Sequence, residues 1–315
     1  LGKIRELLPG LGLWKRVLVI LLLAAAGLYI CGCSNEGENK KTRTYFVMDT
    51  RVDITIYGVD NRFFNDIALE VFAEMERLEN IFSRHLPESD VSRINQSAGK
   101  MPVEVEPETL YVLQKALDMY EKTGGVFDPT VGPLLELWGF GTENPAVPGS
   151  EDINRTLELV DFSAVEIDEE KGTVFLPRQG MKIDLGGIAK GYIVDKGQEV
   201  IQRYDVQAAF INAGGDISMS GRKPDEEKWR VAVKNPVDVS RDFADVIEME
   251  EGSVATSGDY ERFFEEDGRV YHHILDPATG YPAEVLSSVT IVAADTLTAD
   301  ALSTGIFVIG LEKGL

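Results

Sequence analysis

Three features of the 315-residue chain predict an α/β protein of mixed, α+β character. Long stretches of the first half repeat apolar residues at helical spacing, the second half is dense in short alternating segments, and glycine pairs punctuate the joins. Phe63 to Ile81 places Phe64, Ile67, Ala68, Val71, Met75, Leu78 and Ile81 on one helical face. Pro107 opens a second amphipathic helix through Leu110, Leu113, Ala116, Leu117 and Tyr120, and Gly124-Gly125 stops it. Ahead of both, Met48 to Tyr57 alternates apolar and polar residues as a strand does. Thr142 to Gly149, holding two prolines, reads as a loop, with Ser150 capping a short helix after it.

From Val165 the pattern shortens. Val165–Ile167 and Val174–Leu176 flank a Glu-Glu-Lys-Gly turn as a hairpin, and Met181–Leu185 reads as a further strand. A helix from Ile188 to about Arg203 follows. Strands are predicted near Ala208–Asn212, Trp229–Val233, Val246–Met249, Val270–Leu275 and Val289–Ala293, and a last helix from Leu297 to Ile309. A hydrophobic content of 44% supplies a large core, as one domain or two closely packed subdomains.

The N-terminus predicts export. Lys3, Arg5, Lys15 and Arg16 precede an apolar run from Val17 to Ile30, short for a membrane span. The run ends Ile30-Cys31-Gly32-Cys33-Ser34, which looks like a bacterial lipobox. Residues 1–33 are therefore read as a lipoprotein signal peptide with Cys33 lipidated, or else as an uncleaved anchor. Both place the remainder on the extracytoplasmic face of the cell membrane. Residues 34–44 form a polar tether, and 45–315 the folded domain. No cysteine follows Cys33, so that domain holds neither a disulfide nor a cysteine metal site. The net charge of −22 argues against a nucleic-acid partner. An anionic ligand would need local donors or a divalent cation against that field.

Two distant stretches supply such groups. Asp184-Leu185-Gly186-Gly187-Ile188-Ala189-Lys190-Gly191 reads as a strand, a glycine turn and a helix start, where free N–H groups can meet a phosphate. Lys190, placed against the helix dipole, suits a bound anion, although a solvated lysine after a plain turn is the alternative. Asp300, Ser303 and Thr304 share one face of the last helix. Their hard oxygens suit Mg²⁺ sharing its shell with phosphates, or simply a polar helix start. His272 and His273 adjoin in a strand, so one of them at most faces a given cleft. Ser257-Gly258-Asp259 lacks the nucleophile-elbow pattern of a hydrolase. Phe127 and Asp128 could hold a flat heterocycle, or line an ordinary loop.

In order along the chain stand Met48-Asp49-Thr50, Phe82-Ser83, Ser92-Arg93-Ile94-Asn95, Gly125-Val126-Phe127-Asp128 through Trp138-Gly139-Phe140, and Ile183 to Gly191. Asn212-Ala213-Gly214-Gly215-Asp216, Ala255 to Tyr260, His272 to Pro277, and Ala299 to Gly305 complete the series. This series resembles the ApbE family of FAD:protein FMN transferases, over about Tyr45 to Leu315. The resemblance implies two intertwined α/β subdomains with mixed sheets and FAD between them. It implies Mg²⁺-dependent transfer of FMN from FAD to a threonine of an acceptor, with AMP released. The acceptor would be a subunit of a membrane redox complex of the quinone reductase or Rnf type. Carried over by motif, FAD contacts fall to Met48, His85, Val126, Phe127, Asp128, Asp184, Lys190 and Ile274. Mg²⁺ falls to Gly187, Asp300, Ser303 and Thr304, and catalysis to His273. A pyrophosphatase giving FMN and AMP, or a non-enzymatic flavin-binding lipoprotein, would use the same groups.

Overall fold

Val52, Ile54 and Ile56 alternate along one strand and are fully buried, which fixes the face that 50–57 turns inward. The computed structural model describes residues 40–224, 227–237 and 243–314. The export segment with Cys33, and 34–39 of the tether, lie outside the described residues.

Strands β1 (Lys40–Val47) and β2 (Thr50–Tyr57) form an antiparallel hairpin, so residues 40–44 of the segment read as tether belong to an edge strand. The sheet continues through β6 (Ala208–Ala213), β7 (Asp216–Gly221), β10 (Gly252–Gly258) and β13 (Ser288–Ala293), in the order β1-β2-β6-β7-β10-β13. Helices and strands mix as the sequence predicts, but every ladder among the described strands is antiparallel, so no sheet is mixed in direction.

One face of this sheet is covered by helices. Helix α1 (Asn61–Phe82) buries Phe64, Ile67, Ala68, Val71, Met75, Leu78 and Phe82, at the spacing its sequence predicts. Asp60 caps it by accepting from the Phe63 amide at 2.8 Å. Around it pack α2 (Asp90–Gln96), α3 (Pro107–Lys122) and α6 (Ala189–Gln202), and their apolar faces join Val52, Ile54, Ile56, Ala209 and Ile211 in the main core. The opposite face carries Ala208, Ile217, Met219 and Val254 against Trp229 and Val231 of a ribbon formed by β8 (Trp229–Lys234) and β9 (Phe243–Met249). A separate apolar cluster gathers around Trp138 of α4 (Gly132–Trp138), whose indole donates to the Gly280 carbonyl at 2.8 Å.

The hairpin of 165–176 forms as β4 (Glu166–Asp168) and β5 (Thr173–Phe175), with β3 (Val103–Glu104) on its edge. Helix α5 (Ser150–Leu157) is capped at Gly149, and Ser150 is its first residue rather than its cap. The segment 181–185 joins no ladder among the described strands. Asn95 replaces a neighbouring strand there: its amide nitrogen donates to the Ile183 carbonyl at 2.9 Å, and its side-chain oxygen accepts from the Ile183 N–H at 2.7 Å. A side chain that satisfies the backbone in this way leaves no call for a ladder partner.

Helix α7 (Thr296–Ile309) crosses close to α6. Asp195 of α6 accepts from the Thr296 and Leu297 amides at 2.8 and 2.9 Å, fixing where α7 begins. Gly191 permits the approach, because a Cβ there would stand 2.4 Å from the Thr296 carbonyl oxygen. Alanine ordinarily gains about 1 kcal/mol over glycine inside a helix. Overpacking against rigid backbone costs about 1–3 kcal/mol, so the clash decides the sign. Gly191→Ala is expected to lower the urea midpoint of unfolding, and an unchanged or raised midpoint would contradict this contact.

Candidate active site

A cavity of ≈ 400 Å³ opens where the β1–β2 turn, the segment after α3, the start of α6, the stretch after the hairpin of β11 (Phe263–Glu266) and β12 (Arg269–His272), and α7 converge. The two stretches singled out as phosphate and metal candidates therefore share one cavity. Gly187 lies against α7, since a Cβ on it would stand 3.3 Å from Thr304 Oγ1. Asp300 of α7 is buried, and its Oδ2 accepts from the Gly191 amide at 2.9 Å, in the first turn of α6. Thr304 lines the cavity on the same helix. Ser303 does not line it. Its Oγ donates to the Asp300 carbonyl at 2.9 Å and pairs with Ser257 Oγ at 2.7 Å, while Ser257 also reaches Thr304 Oγ1 at 3.2 Å.

Lys190 lines the cavity, with its Nζ 2.7 Å from Oδ2 of buried Asp216. Burial works against its charge, but Asp216 and Asp300 outweigh that and hold the lysine pKa above its usual value. Burial, and then the Asp216 carboxylate, raise the Asp300 pKa. The lysine placed against the dipole thus has a local carboxylate partner, which nothing in its own segment foretells. Asp184 locks the turn: it accepts from the Gly186 amide at 2.7 Å and pairs with Arg84 Nε at 3.0 Å.

Met48 and Asp49, the two residues of the β1–β2 turn, both sit in the left-handed region, with φ of 57° and 53°. Each such non-glycine residue costs about 1–3 kcal/mol and persists where its surroundings hold it. Here Glu79 of α1 accepts from the Met48 amide at 2.9 Å. The turn lies at the cavity with His85, Val126, Phe127 and Asp128. The Asp128 carboxylate is taken up within its loop, accepting from the amides of Thr130 at 2.7 Å and Phe162 at 3.3 Å, and so braces the wall.

The histidine pair divides as strand geometry predicts. His272 is buried: Nε2 donates to the Ala283 carbonyl at 2.8 Å, Nδ1 accepts from the Ile274 amide at 3.3 Å, and the ring packs edge-on to Phe307. His273 is half-buried and faces the cavity beside Ile274. Its Nδ1 lies 3.2 Å from the Arg262 carbonyl. A carbonyl only accepts, so Nδ1 carries the proton and Nε2 keeps its lone pair. Burial, and then the Arg262 guanidinium, pull the His273 pKa down to about 4, leaving a neutral base at pH 7. Sequence reasoning missed Arg84, Arg262, Glu79 and Asp216. Of these only Asp216 carried a signal, as the acid closing the Gly214-Gly215 turn.

A glycine turn, a helix face of hard oxygens and an oriented neutral histidine share one cavity, an arrangement suited to a phosphate-bearing ligand. Residues 48–315 match the ApbE family, and the chain belongs to it. It is 34% identical to a Treponema pallidum protein called FAD:protein FMN transferase, over 90% of this chain and 84% of that one. Its fold is similar to that of the ApbE protein of Thermotoga maritima (TM-score 0.79, 42% identity, 85% of this chain and 86% of that one). It is also similar to the flavin transferase ApbE of Vibrio cholerae (TM-score 0.79, 31% identity, 87% and 88%).

Proposed function

We propose that this protein cleaves FAD and transfers FMN to a threonine hydroxyl of an acceptor protein, releasing AMP. One observation carries the reading. The Gly186-Gly187 turn, the Asp300/Thr304 face and His273 all line a single cavity, in a chain whose relatives are called FAD:protein FMN transferases.

Mg²⁺ suits the residues present. Among the described residues the carboxylate of buried Asp300 has one hydrogen bond, from Gly191, and the Thr304 hydroxyl, against which the Gly187 backbone lies, lines the same cavity. These are hard oxygen donors, and a cation beside Asp300 would favour its charged form against the burial that raises its pKa. Among the described residues no group of three His, Cys, Asp or Glu could hold a metal ion. The remaining ligands would therefore come from water and substrate phosphate. Bound there, Mg²⁺ would supply neutralisation of charge on the diphosphate.

The chain's own residues do the rest. The N-terminus of α6 and Lys190 hold the diphosphate, and Asp184 keeps the glycine turn in shape. Asp216 holds the ammonium of Lys190 toward the cavity. The Arg262 carbonyl orients His273 so that Nε2 accepts the threonine proton. The threonine oxygen then bonds to the FMN phosphorus as the P–O bond to AMP breaks, and AMP leaves with the electron pair of that bond. At pH 7 the base needs no deprotonation. The acidic limb of kcat/KM is expected near pH 4, with activity falling as His273 protonates. A limb near 6.5 that disappears in His273→Gln would show an ordinary histidine pKa and contradict this environment.

Cys33 would anchor the protein by lipid on the extracytoplasmic face, where it would meet acceptor subunits of membrane redox complexes, of quinone reductase or Rnf type. Support for this comes from the charged and apolar N-terminal run and the lipobox pattern. The test of the reaction is incubation with FAD, MgCl₂ and a threonine-bearing acceptor subunit. An acceptor heavier by one FMN supports transfer, free FMN and AMP alone mean a pyrophosphatase, and unchanged FAD means a flavin carrier.

A further inference from the structure

Three hydroxyls link the main sheet to the oxygen-bearing face of α7. Ser257 Oγ, near the end of β10, lies 2.7 Å from Ser303 Oγ and 3.2 Å from Thr304 Oγ1. Ser303 is buried, and its hydroxyl donates to the Asp300 carbonyl at 2.9 Å. Ser257 and Thr304 line the cavity, and Ser303 does not. Neither serine takes a part in holding the diphosphate or in moving the threonine proton.

A hydroxyl carries one proton and two lone pairs, which fixes the direction of each bond in this chain. A carbonyl only accepts, so the Ser303 proton is committed to Asp300. Ser303 Oγ therefore accepts from Ser257, and that contact takes the Ser257 proton. At its other contact Ser257 Oγ can only accept, so the Thr304 proton points to Ser257 and away from the cavity. The Thr304 hydroxyl has no other hydrogen bond among the described residues, and its lone pairs are left for the cavity it lines. Donating a proton also makes an oxygen a better acceptor, so the chain strengthens the group that it orients.

We propose that Ser257 and Ser303 are positioning residues that hold Thr304 as a pure acceptor, so that its oxygen takes a divalent cation and turns away a bare phosphate oxygen. This rests on the metal reading above and adds how the ligand is oriented. It also gives Ser303 a role without contact with the cavity. Outer partners that orient a metal ligand ordinarily govern about 10–100-fold in metal affinity. Without Ser303, the Ser257 proton is free to turn to Thr304. The Thr304 proton then points into the cavity, against a cation.

The test titrates Mn²⁺ into the whole protein without nucleotide, and electron paramagnetic resonance reads the free ion. Binding that Asp300→Asn loses defines this site against other acidic positions. Ser257→Ala is expected to weaken that binding about 10–100-fold, and Ser303→Ala about tenfold. Ser257→Thr keeps the hydroxyl and is expected to stay within about threefold of the parent. Thermal unfolding in EDTA checks that each variant folds; if Ser257→Ala does not, Ser303→Ala decides. Parent affinity in Ser257→Ala or in Ser303→Ala overturns the proposal and leaves the metal site standing. Equal loss in Ser257→Ala and Ser257→Thr, the mark of packing alone, also overturns it. No Asp300-dependent binding in the parent removes the metal site, and the proposal with it.

Discussion

Asp300→Ala is expected to cost about a thousandfold in Mg²⁺-stimulated turnover. Each 1.36 kcal/mol of lost transition-state stabilisation is tenfold in rate, and a metal acting on a phosphoryl oxygen supplies several kcal/mol. The size of the loss must be separated from damage to the fold. Asp300 also accepts from the Gly191 amide, tying α7 to α6. Asp300→Asn keeps the shape and that hydrogen bond but removes the charge. It also removes repulsion from Asp216, the second cause of the raised Asp300 pKa. Its thermal stability in EDTA is therefore expected to equal or exceed that of the parent, while Mg²⁺-stimulated turnover is lost. Undiminished turnover of the parent protein in excess EDTA would reject the metal site.

His273→Ala is expected to slow transfer by about 10²–10⁴-fold, the usual range for a positioned general base. The affinity for FAD is expected to stay within about twofold, because the diphosphate contacts proposed lie on α6 and α7. Fluorescence titration with FAD and single-turnover transfer, run on the same preparation, give both numbers. Parallel loss of binding and transfer would show that His273 holds the ligand rather than moving a proton. His272→Ala is a poor control for this purpose. That imidazole joins the Ala283 carbonyl to the Ile274 amide in the core beside Phe307, so its loss strands buried polar groups.

Much of this site was legible in the sequence, for reasons that can be named. The face of α1 follows from period, and the division of His272 from His273 follows from alternation along a strand. The glycine turn at 186–187 and the helix face at 300–304 were legible as local chemistry. That they meet is a long-range fact, and only the run of motifs in order, through the family resemblance, supplied it. What escaped was set by tertiary partners. Segment 181–185 has the apolar pattern of a strand but takes its hydrogen bonds from the Asn95 side chain and from Pro129. Lys190 looks misplaced at a helix start until Asp216 arrives from another hairpin. Ser303 shares a helix face with Asp300 and Thr304 on paper, yet Ser257 from the sheet holds its hydroxyl. The Met48-Asp49 turn carries none of the Asn-Gly chemistry that its left-handed backbone favours, and Glu79 holds it instead.

The central claim is that a metal-bound diphosphate lies between the α6 start and the oxygen-bearing face of α7. Anomalous diffraction from crystals soaked with FAD and Mn²⁺ tests it most directly. The account predicts one anomalous peak bounded by Asp300, Thr304 and the Gly187 carbonyl, in contact with the diphosphate of the flavin nucleotide. A peak elsewhere, or a diphosphate bound away from Gly187 and Lys190, would contradict it.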